Sequence, residues 1–194
     1  MSRSFRTEKP RFVAQRHLER TADGEVVLPR IVARRPAPGD GHPLTASMLR
    51  AVMRREIPPE YLHGLSRIEL RPRTDGSIGV PFGCYLRDEK AILLYSLPEA
   101  WVWDEPPDDH VIQGMQRFFA YIGHDAPRVR VRWPDPVALS MWYFIEVFAH
   151  ELGHHYSHRY RGRRGGAKSR RHDEFLAELH STRFYERLVR KLRK

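Results

Sequence analysis

The sequence predicts an α+β fold in which a small sheet packs against helices on one side. Three observations predict it. Apolar residues recur at helical spacing before and after a run of strand-like segments at residues 66–97. A long apolar helix is opened by Pro134 and Pro136. A last helix follows a basic, glycine-containing loop at residues 161–171.

The chain has the size and composition of one globular domain. It has 194 residues, of which 41% are hydrophobic. Cys84 is the single cysteine, which excludes an intramolecular disulfide and a four-cysteine zinc ribbon. No apolar run follows the basic start, and the longest apolar stretch, residues 141–149, is too short to span a bilayer and contains Glu146. We therefore expect a cytoplasmic protein with no membrane partner.

The chain is strongly basic. Its formal charge is +10, and many of its arginines lie in the first forty residues and after residue 159. Such a charge attracts DNA and other polyanions. The segments at residues 1–42 and 161–171 are therefore candidate DNA contacts. A basic surface without a nucleic-acid site is an equal alternative, and the oligomeric state is not predicted.

Residues 1–42 are expected to form a basic, mostly disordered arm. The segment at residues 33–43 has the composition of a linker and predicts a domain boundary near residue 43. Within the arm, residues 25–32 are apolar enough for a short strand. The sequence therefore predicts one folded domain at residues 43–194.

The elements of this domain follow from periodicity and from the positions of proline and glycine. The first helix begins after Pro43, with Thr45 or Ser47 near its cap, and ends at Pro58. A polar turn at residues 87–90 joins two strands into a hairpin. The predicted strands are residues 66–72, 79–86, 91–97 and 129–133, and the later helices are residues 108–121, 137–160 and 173–192.

The long helix contains an HExxH motif, His150-Glu151-Leu152-Gly153-His154. Residues at i and i+4 lie one above the other on a helix face, so both imidazoles can reach one metal ion. Zinc accepts neutral nitrogen ligands, and a catalytic zinc lowers the pKa of its bound water to about 7. We therefore predict Zn²⁺ bound by His150 and His154, with Glu151 as the general base that accepts the proton of this water.

A third ligand is predicted in the last helix. Glu174 is the preferred candidate, and Glu178, one turn later, would accept a hydrogen bond from a ligating imidazole. The two could exchange roles, or they could form an ordinary solvated pair. The loop between the helices is long enough to return the chain to the metal. Gly153 costs about 1 kcal/mol of helix stability relative to alanine, which indicates that another element approaches it closely.

Other side chains compete for these roles. His172, at the start of the last helix, is the alternative third ligand. If it does not bind the metal, His172, His180 or Tyr160 could stabilise the oxyanion, and the sequence does not choose among them. His158 is expected at the surface, and His155 is expected to pack or to support a ligand.

The sequence HELGHH at residues 150–155, followed by Glu174, Ala177 and Glu178, resembles gluzincin metallopeptidases, particularly the small minigluzincins of the ImmA/IrrE type. The resemblance implies a zincin-like domain with a small mixed or antiparallel sheet, an HExxH helix and a Glu-bearing helix after it. It implies a zinc-dependent peptidase that hydrolyses peptide bonds in a protein or peptide substrate. Glu178 stands where the family has Asn or Asp.

The hairpin at residues 83–97 is also similar to the sheet of that family, whose edge strand binds extended peptide. An extended substrate is therefore expected to add to the AILLYSL strand at residues 91–97. The sequence departs from the family at His180, where an aromatic residue is usual, and in the basic loop before the last helix.

Alternative functions stay open. SprT-like proteases, which digest proteins crosslinked to DNA, use a histidine in a His-Gly-x-x-Phe segment, and residues 172–175 are one residue short of that spacing. The basic segments would suit such a protease, or a nucleic-acid-binding module with a secondary or inactive zinc site. A third hypothesis is a zinc ion that only joins the two helices.

Overall fold

The structure is a computed structural model, and it describes residues 27–73, 82–105, 107–125, 128–161 and 170–192. These residues form a mixed α+β fold, which confirms the predicted fold class, and they contain two small sheets where one was predicted. One cluster of buried apolar side chains joins the sheets and the helices. Within the described ranges, every helix is too short or too polar to cross a membrane.

The first sheet has four strands and includes the predicted hairpin. Its strands are β1 Arg30–Ala33, β2 Arg67–Arg71, β3 Gly83–Leu86 and β4 Ala91–Tyr95. Their order is β1-β2-β4-β3, with β2 parallel to β1 and β4, and β3 antiparallel to β4. Because β4 is paired on both sides, β1 and β3 are the edges among the described strands. The prediction that a substrate adds to the AILLYSL strand is therefore wrong.

The first strand lies inside the segment that was predicted to be a disordered arm. Residues 1–26 of that arm lie outside the described residues. β1, however, pairs along its whole length with β2, and Gly41 forms a bridge with Leu97. The predicted boundary near residue 43 therefore does not separate β1 from the sheet, because β1 pairs with the backbone groups of β2 that β4 leaves unused.

A second sheet was not predicted. Its strands are β5 Ala100–Trp103, β6 Tyr121–Asp125 and β7 Arg128–Arg132, in the antiparallel order β5-β7-β6. β7 confirms the strand expected at residues 129–133. It alternates buried valines with exposed arginines, as a strand with one solvated face should.

The helices largely follow the predicted pattern. They are α1 Ala46–Arg55, α2 Pro59–Leu62, α3 Asp109–Gln116, α4 Pro136–Trp142, α5 Ala149–Arg161 and α6 Arg170–Leu192. Thr45 caps α1 by accepting a hydrogen bond from the Met48 N–H, as expected. The predicted helix at residues 108–121 was too long. Phe119 has a positive φ of 66°, which ends the helical path, and Tyr121 begins β6 because it pairs with β7.

The long helix predicted at residues 137–160 is not uniform. A π-helical segment, Tyr143–Phe148, joins α4 to α5 immediately before the HExxH motif. The buried Tyr143 hydroxyl lies 2.7 Å from the carbonyl oxygens of both Phe82 and Tyr95. These residues flank the paired part of β3 and β4, so Tyr143 anchors the hairpin to the helix. Burial raises the pKa of Tyr143 well above its usual range, so the hydroxyl keeps its proton.

The two sheets meet at an aromatic cluster. It contains Phe82 and all four tryptophans of the chain, Trp101, Trp103, Trp133 and Trp142. The buried face of β5 thereby packs against α4 and against the residue that precedes β3. Apolar burial of these large rings holds the second sheet in place.

Replacement of Tyr143 by Phe should destabilise the fold by about 1–2 kcal/mol, because it leaves a buried carbonyl oxygen without its donor. The free energy of unfolding, measured in urea, tests this. Tyr121→Phe removes a hydroxyl from a side chain that is 66% exposed, and its effect should stay within about 0.5 kcal/mol of zero. Equal stabilities of the two variants would show that the Tyr143 hydroxyl does not anchor the hairpin.

Candidate metal centre

The HExxH residues lie on the first turns of α5. His150 and His154 share one helix face, and their Nε2 atoms are 3.1 Å apart. Both imidazoles are partly buried, with 25% and 19% of their side chains exposed. The i, i+4 spacing therefore directs both rings toward one point, as the sequence predicts.

Glu174 on α6 completes the cluster. Its Oε2 atom lies 3.3 Å from Nε2 of His150 and 3.5 Å from Nε2 of His154. A zinc ion with bonds of about 2.0–2.1 Å in tetrahedral geometry separates its ligand atoms by about 3.3 Å. The three atoms thus already have the spacing of three corners of a tetrahedral site. In the described part of the chain, this is the only cluster of His, Cys, Asp and Glu side chains compact enough to hold a metal ion.

Gly153 allows α6 to reach this position. A Cβ atom on Gly153 would lie 2.9 Å from Cα of Ala177 and 3.1 Å from its carbonyl oxygen. Real Cβ atoms essentially never come within 3.0 Å of such neighbours. The close approach expected from a glycine inside the motif is therefore confirmed, and α6 is the element that approaches. Glu174 lies one turn before Ala177, so this crossing brings its carboxylate to the histidines.

The electrostatics of the cluster favour cation binding. Burial lowers the pKa of His150, and the neighbouring His154 lowers it further. Burial also lowers the pKa of His154, although the Glu174 carboxylate opposes the effect on both rings. Both imidazoles are therefore neutral at physiological pH, and each can offer a lone pair. Two neutral nitrogen atoms and one carboxylate oxygen are a donor set that zinc accepts.

Glu151 lies between α5 and the edge strand β3. Its carboxylate accepts a hydrogen bond from the backbone N–H of Tyr85. Burial raises the pKa of Glu151 to about 7, against the lowering effect of that hydrogen bond. Gly83 provides the space, because a Cβ there would lie 2.7 Å from Val147 and 3.3 Å from Cγ of Glu151. Glu151 can therefore both accept and release a proton near neutral pH.

The outer edge of β3 faces the same helix. The Tyr95 N–H donates to the Phe82 carbonyl, so the hydrogen-bonded pairs with β4 fall at every second residue from Phe82. The backbone groups of Gly83 and Tyr85 therefore point away from β4. The hydrogen bond from Tyr85 to Glu151 agrees with this direction. Among the described strands, none pairs with this edge of β3, which lies directly beside the predicted general base.

His155 ties this edge strand to α5. Burial lowers the pKa of His155 to about 4, so its ring is neutral. Its Nε2 atom lies 3.1 Å from the His63 carbonyl oxygen, which only accepts, so Nε2 carries the proton. Nδ1 then accepts a hydrogen bond from the Tyr85 hydroxyl at 3.2 Å. His155 therefore packs, as expected, and it also holds the side chain of Tyr85.

Two of these residues, His63 and Tyr85, were missed by the sequence analysis. Tyr85 alternates with Gly83 along β3, and this period of two would have identified it once β3 was known to be the edge. His63 contributes a backbone carbonyl, a group that every residue carries. No sequence signal could have singled it out.

The other predicted site residues lie elsewhere. Glu178 is exposed, and no hydrogen bond joins it to His150 or His154 in the described structure, so the predicted support of a ligating imidazole is not seen. The charge of Glu178 instead acts on Glu146. Burial raises the pKa of Glu146, the Arg117 guanidinium partly opposes this rise, and the Glu178 carboxylate adds to it.

The histidines that compete for the metal are also separate from the cluster. His172 is half-buried on the first turn of α6 and is not a member of the compact group. His180 is buried, and its Nδ1 lies 2.7 Å from the Tyr61 hydroxyl. His158 is exposed, as expected. The side chain of Tyr160 lies outside the described structure, so no oxyanion group is assigned.

Comparison of the chain with protein-family models, with curated proteins and with solved structures finds no match. The chemistry of the site is therefore inferred from its own residues.

Replacement of Gly153 by Ala should destabilise the fold by up to about 2 kcal/mol, since overpacking costs about 1–3 kcal/mol and the gain in helix propensity returns about 1. It should also weaken Zn²⁺ binding, because α6 must move away from the histidines. Urea unfolding and zinc titration measure the two effects.

Gly114→Ala is the matched control. A Cβ on this helical glycine of α3 would come no closer than 3.5 Å to its neighbours. The variant should therefore gain about 0.5–1 kcal/mol of stability and keep its zinc affinity. If Gly153→Ala behaved in the same way, the crossing of α5 and α6 would not depend on the missing side chain.

Proposed function

We propose that the protein is a zinc-dependent peptidase that hydrolyses peptide bonds in an extended protein segment. The observation that carries the proposal is the convergence of His150, His154 and Glu174, with Glu151 beside them and beside an unpaired strand edge. This combination provides a metal-binding group, a base and a surface for a peptide backbone.

The residues fit zinc in kind and in arrangement. Two histidines and one carboxylate form the ligand set of several catalytic zinc sites, which keep a fourth position open. The cluster is not closed off, since the Glu174 side chain is 51% exposed. When bound, zinc would polarise the scissile carbonyl and lower the pKa of the attacking water to about 7.

Glu151 would act as the general base. It would accept a proton from the attacking water and later pass it to the amine that leaves. Its buried position supports this role, because a carboxyl group with a pKa of about 7 holds a proton strongly enough to take one and weakly enough to return it. The Tyr85 N–H keeps the carboxylate oriented between these steps.

The substrate backbone would add to β3. The outward backbone groups of Gly83, together with the carbonyl of Tyr85, can exchange hydrogen bonds with an extended peptide. Because such bonds involve the main chain alone, this mode gives affinity with little sequence preference. β3 replaces the AILLYSL strand of the original hypothesis, which is internal to the sheet.

The competing hypotheses receive less support. A histidine-ligated, SprT-like site would require His172 in the cluster, and His172 is not a member of it. A zinc ion that only joins α5 to α6 would not require an acid with a raised pKa beside a strand edge. Of the two segments proposed to contact DNA, residues 1–42 and 161–171, the parts at residues 1–26 and 162–169 lie outside the described structure.

Purified protein supplied with zinc should contain about one zinc ion per chain. His150→Ala and Glu174→Ala should each lose most of it, because each removes one of three converging ligands. His172→Ala is the control and should keep its zinc. Mass spectrometry of the metal content is the measurement. Zinc retained by Glu174→Ala but lost by His172→Ala would replace the proposed ligand set, and a wild type without zinc would remove the proposal.

Glu151→Gln should lower the rate of hydrolysis of a labelled, unfolded protein by about 10²–10⁴-fold while zinc stays bound, because the amide cannot accept the proton. Glu186→Gln makes the same chemical change at an exposed position of α6 and should keep the wild-type rate. Normal turnover by Glu151→Gln would exclude Glu151 as the base.

A further inference from the structure

The exposed face of the second sheet is basic and partly aromatic. β7 is the central strand, and Arg128, Arg130 and Arg132 lie on its exposed side. Arg128 forms an ion pair with Asp104, its Nε lying 3.2 Å from Oδ1. Tyr121 on β6 is opposite Arg132 and is 66% exposed. Val102 on β5 is opposite Arg130 and is 43% exposed. On the other face of β5 and β7, Trp101, Trp103, Val129 and Val131 are buried, so these two strands present one outer surface.

The residues paired with Arg130 and Arg132 on the neighbouring strands are mostly small. Arg132 lies between Ala100 and Tyr121, and Arg130 lies between Val102 and Gly123. The Tyr121 ring leans along β6 over the glycine, since a Cβ at Gly123 would lie 3.3 Å from Cε1 of Tyr121. Arg130 and Arg132 therefore have small neighbouring side chains, apart from the Tyr121 ring, which lies along the sheet surface.

Phe119 is a second, independent observation. It lies two residues before Tyr121, has a φ of 66° and leaves 81% of its surface exposed. A bulky residue in the left-handed region is strained, and glycine or asparagine would occupy this position at lower cost. Folding gains little from an exposed phenyl ring. Strained residues that the fold does not require are typical of binding sites.

We propose that this face binds single-stranded DNA. Arginine side chains pair with phosphates, and exposed aromatic rings stack on unpaired bases. A duplex hides the faces of its bases, so the aromatic residues favour a single strand. Arg130 and Arg132 are about 6.8 Å apart along the strand, comparable with the span of one nucleotide in an extended chain. The net charge of +10 draws the polyanion to the surface.

The composition of the face favours DNA over RNA. Proteins recognise RNA partly through hydrogen bonds to the ribose 2′-hydroxyl. Apart from Tyr121 and the arginines, the outward side chains described on the three strands are alanine, valine and glycine, which offer no hydrogen-bonding group to a 2′-hydroxyl. This inference is independent of the metal centre, and its test requires no metal.

Fluorescence anisotropy of the full chain with a labelled oligothymidine of about twenty nucleotides, at about 50 mM salt, tests the proposal. The double variant Arg130→Ala/Arg132→Ala should weaken binding about tenfold or more. Its salt dependence should fall by about 1.4 in the slope of log K against log salt, since each contact to a single strand contributes about 0.7.

Arg50→Ala/Arg54→Ala is the matched control, because it removes the same charge from exposed arginines of α1. This control should bind within about twofold of the wild type if the contacts are local. Equal losses in the two double variants would mean that net charge alone attracts DNA, and would overturn the proposal. Absence of binding by the wild type would do the same.

The aromatic contacts have a separate test. Tyr121→Ala should weaken binding about tenfold through lost stacking, and Tyr121→Phe should retain it. Phe119→Gly should weaken binding and raise the thermal stability, because glycine accepts the positive φ without strain. Unchanged affinity in Tyr121→Ala and Phe119→Gly, equal affinity for a duplex, or tighter binding of the matching oligouridine would each contradict a face built for single-stranded DNA.

Discussion

The crossing of α5 and α6 at Gly153 is the constraint on which the proposed metal centre depends. Two histidines on one helix face supply only two ligands, and a third on the same straight helix would lie too far along the axis. The third ligand must therefore come from another element at close range. Gly153 removes the side chain that would keep α6 away, and Ala177 presents a small surface on the other side. The position of Glu174 one turn earlier is a consequence of this contact.

The first sheet fixes the position of Glu151, the proposed base. Tyr143 anchors the hairpin to the π-helical segment, and His155 holds the Tyr85 side chain against α5. Both are buried polar groups with satisfied hydrogen bonds, and such groups fix one arrangement because any other would leave them unpaired. The backbone of β3 is thereby held beside Glu151. The raised pKa of this acid follows from the same burial, so position and acidity have a common cause.

In the second sheet, successive residues of β7 face the core and the solvent in turn. In β7, Val129 and Val131 complete the core, while the intervening arginines cover the solvated side. On the buried face of the sheet, the tryptophans of β5 pack against Phe82 and against Trp142 of α4. Because the core holds the backbone through one face, the other face is free of any packing requirement. Arg128 forms an ion pair with Asp104, but the fold does not require the exposed Tyr121 on this face or the strained, exposed Phe119 that precedes it.

Several of these features could be predicted from the local sequence, because they depend on interactions within one helix or one turn. The i, i+4 spacing of His150 and His154, the cap at Thr45, the polar turn of the hairpin and the glycine inside the motif each follow from the geometry of one element. Glu174, on a different helix, was the preferred third ligand because the loop before it is long enough to return the chain, and the structure brings it to the histidines.

The remainder depended on contacts between segments far apart in the chain. Periodicity shows that a strand exists but does not say which strands are its neighbours, so β4 could not be recognised as internal or β3 as the edge. The short strand expected at residues 25–32 overlaps β1, but its pairing with β2 was not foreseen. Tyr121, the last residue of the predicted helix at residues 108–121, belongs to β6 because it pairs with β7. A segment departs from its local structural propensity where strand pairing and burial in the whole fold lower the free energy by more than that propensity does.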